Sequence, residues 1–145
     1  MEIKQVTLAD KEWVTEFALI EAHRYPYLRP NREKMDGIFT NAVSSGNGFA
    51  MKAVRGDKPL GVLLAISLPH AWAEKQVSHC VLFATKKAPS GAMLVRRYAE
   101  WIKGRPVVRV GGFAPARELD IRTTRLLEHF GFNKVGGDYA IHKGY

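Results

Sequence analysis

The chain has 145 residues, 46% hydrophobic and 25% charged, the balance of one soluble globular domain with one sizeable core. Its 22 Lys and Arg against 14 Asp and Glu leave a net charge of +8, which favours anionic partners: nucleic acid, phosphorylated cofactors or acidic surfaces. The basic residues are dispersed, with short doublets only at Lys86-Lys87 and Arg96-Arg97, so a nucleic-acid footprint is disfavoured.

The longest apolar run, Leu60 to Leu68, is strand-sized, too short to cross a bilayer. Met1-Glu2-Ile3-Lys4 lacks the basic and apolar regions of a signal peptide. Cys80 is the only cysteine, which excludes an intrachain disulfide and fits a cytoplasmic setting.

In chain order, Ile3 to Leu8 alternates as a first strand. Asp10 is placed to cap a helix running to about Arg24, with Trp13, Phe17 and Ile20 at helical spacing. Pro26 and Pro30 break that helix. A second is predicted from Arg32 to Val43, with Met35, Ile38, Phe39 and Ala42 on its apolar face, ended by Ser44-Ser45-Gly46-Asn47-Gly48. Phe49 to Arg55 and Leu60 to Leu68 read as strands around a Gly56-Asp57-Lys58-Pro59 turn. Val77 to Thr85, apolar on both faces, reads as a central strand.

A third helix from Pro89 to Lys103 puts Leu94, Val95, Tyr98, Trp101 and Ile102 on one side, and Gly104 with Pro106 stops it. Val107 to Gly111 is a strand. The last helix, capped by Asp120, is predicted to bury Ile121, Leu126, Leu127 and Phe130. Gly131 then takes the left-handed C′ position, with Phe132 folding back on Leu127. Asn133 to Lys143 closes the sheet. The order is β-α-α-β-β-β-α-β-α-β: an α+β chain, one domain over residues 1–145, with a mixed, mostly antiparallel sheet of about six or seven strands and four helices.

Pro89, Ser90, Gly91 and Ala92 open a helix straight after an apolar strand. Small side chains leave the backbone N–H groups of a helix start approachable, and such a start suits a phosphate-bearing cofactor. The dipole adds about 0.3–1 kcal/mol where exposed. Lys86, Lys87 and Arg96 stand ready for charge-assisted contacts, whereas Pro89 has no N–H to offer.

This element order, with that turn and the Gly131-Phe132 helix ending, resembles the GCN5-related N-acetyltransferase (GNAT) family. The likeness of order covers the whole chain, and its motif-bearing part is residues 80–143. The family's [Arg/Gln]-x-x-Gly-x-[Gly/Ala] turn overlays Lys87-Ala88-Pro89-Ser90-Gly91-Ala92, with Ser90 where the first glycine stands, or, shifted by one residue, with Gly91 in the last position. The resemblance implies a single GNAT-like domain, with acetyl-CoA as cosubstrate in an opening where the central strand splays from its neighbour. It implies backbone contacts from Leu82, Phe83 and Ala84, which polarise the thioester, and phosphate contacts from Lys86, Lys87, Ser90, Gly91, Ala92 and Arg96. The family's helix motif ends in Leu-Tyr-x-x-x-Gly-Phe, its tyrosine protonating the leaving thiolate. Here Leu127 stands in that place and cannot donate a proton.

Transfer to an amine needs a base, direct or through water, and a donor to the thioester oxygen. No Asp or Glu lies between Val77 and Thr85, but His79 does, and histidine titrates in the useful range. Glu118, acting through water, and Tyr139 are further candidates, against surface charge and packing as their ordinary roles. His79 and Cys80 are strand neighbours facing opposite sides, so they form no nucleophile–base pair. The five histidines show no metal-ligand spacing, and no metal is expected. His23, Arg24, Tyr25, Tyr27, Arg29 and Trp72 would shape an acceptor cleft.

The expected activity is acetyl-CoA-dependent transfer to an amine of a small molecule or protein, with no membrane partner and a homodimer left open. The alternative is a GNAT-fold binding or structural component. Short chains of this kind look like those of tailed bacteriophages, which would put the protein in the host cytoplasm or the virion.

Overall fold

A computed structural model describes residues 1–22, 29–69, 71, 74–86, 88–112 and 121–134. Its first strand, β1 (Glu2–Gln5), is shorter than its alternation suggests, because a 3-10 turn (Leu8–Asp10) takes over the end of that run. The Asp10 carboxylate accepts hydrogen bonds from Thr7 N–H at 2.8 Å and Thr7 Oγ1 at 3.2 Å. Asp10 therefore holds the entry from inside the turn, and Thr7 is the capping position.

Helix α1 (Lys11–Ala22) buries Val14, Thr15 and Phe17, and α2 (Arg32–Ser44) buries Phe39 and Ala42. Asn31 caps α2, its side chain accepting from Lys34 N–H at 3.0 Å. Ile20, predicted on the inner face of α1, is instead 62% exposed.

Strands β2 (Phe49–Arg55) and β3 (Lys58–Leu68) form a hairpin around Gly56-Asp57, where Gly56 has φ +57°. That left-handed backbone is open to glycine at little cost. The next strand, β4 (Gln76–Thr85), leads into helix α3 (Ala88–Gly104), strand β5 (Val108–Gly112) and helix α4 (Ile121–His129). Sheet order is β1-β2-β3-β4-β5, antiparallel except for the parallel β4–β5 pair.

The sheet separates two apolar layers. Val62, Leu64 and Ala84 face α1 and α2 with Val14, Phe17 and Phe39. Leu63, Ala65 and Phe49 face α3 with Leu94 and Tyr98.

This is the expected α+β architecture with four helices, but with five strands among the described residues rather than six or seven. Asn133 and Lys134, predicted to begin the closing strand, are not in a strand, and residues 135–143 of that prediction lie outside the described residues. The helix ending before it is as read from the sequence. Gly131, at φ +95°, donates to Glu128 O at 3.0 Å, and Phe132 N–H donates to Leu127 O at 3.0 Å. The Phe132 ring packs on Tyr98, centroids 6.1 Å apart. Ile121, predicted to be buried, is 65% exposed.

Candidate active site

The parallel pair β4–β5 runs through Gln76–Val108, Val77–Val110, Ser78–Gly111 and His79–Gly112. Beyond His79, β4 continues for six residues held only by β3 among the described residues. At this fork the Ser78 hydroxyl lies 3.0 Å from the Tyr98 hydroxyl, which donates to Gly112 O at 3.5 Å. Burial, more than any other influence, pushes Tyr98 up to about 12. It is wholly enclosed, with its hydroxyl committed to Ser78 and Gly112.

Two residues past His79 the strand bulges. Leu64 pairs with Leu82 but Ala65 pairs with Cys80, leaving Val81 without an opposite number. Leu82 and Ala84 accordingly face the α1–α2 layer, while Cys80 faces α3. Successive strand amides point to opposite edges, so one of Leu82 N–H and Phe83 N–H is directed away from β3, toward the β5 side of the sheet.

A cavity of about 330 Å³ lies between α1, α2 and this stretch of β4. Ala18 and Ala22, one turn apart on α1, line it with Met35 and Ile38 of α2, and Val81, Leu82 and Phe83 of β4 line it as well. Glu21, Arg29 and Lys34 are its charged lining residues among those described.

The start of α3 differs from the sequence expectation. Small residues were to leave its amides approachable, but here smallness lets the helix close on the strand. Ser90 is wholly buried, its Oγ donating to Leu60 O at 3.4 Å, and Lys86 N–H donates to the same carbonyl at 2.8 Å. A Cβ on Gly91 would stand 3.2 Å from Thr85 Cγ2 and 3.3 Å from the Phe83 ring. The helix already includes Ala88, so by its i→i−4 pattern the Ala92 amide points back to the carbonyl of Ala88. Among the described residues, Lys86 and Pro89 are exposed here and Ala92 is partly so. Lys86 Nζ lies 5.1 Å over the Phe17 ring, and exposed Arg96 is paired with Glu100 at 2.9 Å.

His79 is exposed on the last rung of the fork, and its partner Ile66 belongs to the α1–α2 layer, the cavity's side of the sheet. Cys80 is on the other face, as strand alternation requires, with its sulfur 3.6 Å from Leu82 O. Burial pushes its thiol well above the usual range, which makes it unreactive. Leu127 is half-buried on α4. Glu118, Tyr139, Lys87 and the proposed cleft residues His23, Arg24, Tyr25, Tyr27 and Trp72 lie outside the described residues, whereas Arg29 does line the cavity. Glu21, Ala18 and the Val81 bulge were not singled out from the sequence. A small residue becomes a void only when the opposite wall is known.

No family model matches the chain, and no curated protein is significantly similar in sequence. Solved structures are similar over the whole chain. A probable acetyltransferase, 11% identical, superposes with a TM-score of 0.72, covering 100% of this chain and 99% of the other. The fold is that of the GNAT acetyltransferases. A ribosomal-protein-alanine N-acetyltransferase from Brucella melitensis biovar Abortus 2308 is 13% identical, with TM-score 0.67 and coverage of 99% and 100%. A transcriptional regulator from Bacillus halodurans C-125 is 18% identical, with TM-score 0.69 and coverage of 98% and 99%. At such identities the GNAT likeness is one of fold, and chemistry has to be argued from the site.

Among the described residues no helix is long and apolar enough to cross a membrane.

Proposed function

We propose that the protein is an acetyl-CoA-dependent N-acetyltransferase acting on an amine. The observation that carries this reading is the fork. Among the described residues β4 pairs with β5 only as far as His79, and it bulges at Val81, which lines the cavity. A GNAT fold supports acetyl transfer in general, and this edge suits a thioester laid along β4 with its oxygen on a strand N–H.

In the reaction, the amine nitrogen attacks the thioester carbonyl carbon, the C–S bond breaks, and the sulfur leaves as thiolate. The amine's proton passes to a base, for which His79 is the candidate from its position on the cavity's side of the fork. Glu118 and Tyr139 remain candidates from the sequence. Alignment of amine and carbonyl in one closed site supplies most of the acceleration.

For the cosubstrate, the backbone of Leu82, Phe83 and Ala84 would hold the pantetheine arm. Lys86, Lys87 and Arg96 would meet the phosphates, at a helix start whose Ser90 and Gly91 are covered. Dipole and side-chain charge then do the work that open amides would do. The test is thermal denaturation with millimolar acetyl-CoA, followed by thiol release with an amine panel. Binding should raise the midpoint by linkage, and no shift would sink the reading.

A second reading is a GNAT-fold binding component, favoured by the closed turn at Ser90 and by Leu127 in the position of the acid. A transcriptional regulator among the structural neighbours supports it. Acetyl-CoA binding with no turnover on any amine would select it.

A further inference from the structure

We propose that Phe17 is a positioning residue for cosubstrate binding, its ring holding the Lys86 ammonium ready for a phosphate of acetyl-CoA without cancelling its charge. This deepens the acetyl-transfer reading and rests on it for the identity of the anion.

Ser90 and Gly91 are covered at the start of α3, which leaves more of the hold on a phosphate to side-chain charge. The two arginines of the α3 doublet, Arg96 and Arg97, both reach Glu100, at 2.9 and 3.5 Å. Lys86 is exposed and is held differently. Glu12 and Glu16 line the same groove beside α1 as Lys86 does. Glu16 is taken by Arg32 at 3.4 Å, which leaves Glu12 as the carboxylate at hand. The Lys86 Nζ nevertheless lies over the Phe17 ring, 5.1 Å from its centroid.

That ring is itself braced. Trp13, one turn earlier on α1, packs edge-to-face on it, with centroids 5.4 Å apart and planes at 81°. Trp13 Nε1 donates to Asp10 Oδ1 at 3.0 Å, and Lys52 Nζ holds the same oxygen at 2.7 Å. The other end of Lys86 is tied as well, its N–H donating to Leu60 O at 2.8 Å. Backbone and ammonium are both anchored, so an arriving phosphate meets a cation already ordered, and less of the binding free energy goes into ordering it. A ring attracts a cation through its quadrupole and carries no net charge. The whole charge of Lys86 is thus left for the anion, whereas a pair with Glu12 would oppose it.

The test is calorimetric titration of acetyl-CoA into the full chain and into a chain with pentafluorophenylalanine at position 17. The fluorinated ring keeps the shape of phenylalanine and removes the negative face that attracts the cation. Its dissociation constant should rise about twofold to fivefold, the loss of one exposed cation–π contact. Lys86→Gln should raise the constant about tenfold, and in that background the fluorinated ring should change nothing. If the fluorinated chain does not fold, Phe17→Leu, measured with and without Lys86→Gln, takes its place with the same expectation. An unchanged constant on fluorination overturns the proposal. So does an equal loss in the Lys86→Gln background, which would mean that the ring acts by packing; both outcomes leave the transferase reading standing. Failure of the parent chain to bind acetyl-CoA would remove that reading and this proposal together.

Discussion

The Tyr98 hydroxyl reaches Ser78 across 3.0 Å at the rung beside the last pair that β4 and β5 make among the described residues. One buried phenol thus joins α3, β4 and, through Gly112 O, the end of β5. Tyr98→Phe keeps the ring against Phe49 and Trp101 but removes the hydroxyl on which Ser78, 1% exposed, depends. The expected cost is about 1–2 kcal/mol, read from urea unfolding. Amide exchange at Gly111 and Gly112 should accelerate more than in α1. Equal acceleration everywhere would show that the hydroxyl supports the core and does not set the fork.

His79 is the candidate base because it is exposed at the fork on the side of the sheet that carries the cavity. His79→Gln should lower kcat with a reactive amine by about 100-fold at neutral pH. The deficit should shrink as pH rises, because a free amine needs no base to deprotonate it. A deficit constant with pH would assign His79 a packing role instead.

Much of this architecture was legible in the chain. Phe49–Arg55 and the Gly131 helix ending follow from local chemistry, since an apolar run beside a Gly-Asp turn and a left-handed glycine each favour one structure. The Val81 bulge was not legible. Val77 to Thr85 is apolar on both faces, so no change of pattern marks the slip in register. Ser90-Gly91-Ala92 is ambiguous in the sequence for a related reason. Small residues permit either a ligand or a neighbouring strand to approach, and only Thr85, Phe83 and the Leu60 carbonyl decide which. The cavity likewise depends on Ala18 and Met35 meeting across two helices.

Asp10 gives the domain an acid-sensitive clasp. Burial pushes its carboxyl up, but hydrogen bonds from Lys52, Thr7 and Trp13, with the Lys52 charge, outweigh that and hold it at about 2. Lys52 Nζ is 2.7 Å from both carboxylate oxygens. The folded state thus keeps Asp10 ionised where the unfolded chain, near 3.8, takes up a proton. Stability from this clasp is complete above about pH 4 and is lost as pH falls from there toward 2. Asp10→Asn should lower stability at neutral pH and flatten that part of the acid limb. An acid limb identical to that of the parent protein would place the sensitivity elsewhere.

Two glycines should respond to alanine in opposite directions. Gly37 lies within α2, and a Cβ there would meet nothing within 4 Å. Gly37→Ala should stabilise by about 0.5–1 kcal/mol, through the unfolded chain's lost freedom. Gly48, between α2 and β2, sits against the backbone of Ala42, whose Cα would lie 2.6 Å from an added Cβ. Backbone cannot yield as a side-chain tip does, so the helix end or the strand start must shift. Gly48→Ala should therefore destabilise by about 1–3 kcal/mol, the range of an overpacked core. Thermal midpoints moving up for the first and down for the second would confirm this packing of α2 onto the sheet. A neutral Gly48→Ala would mean that the turn after α2 has slack.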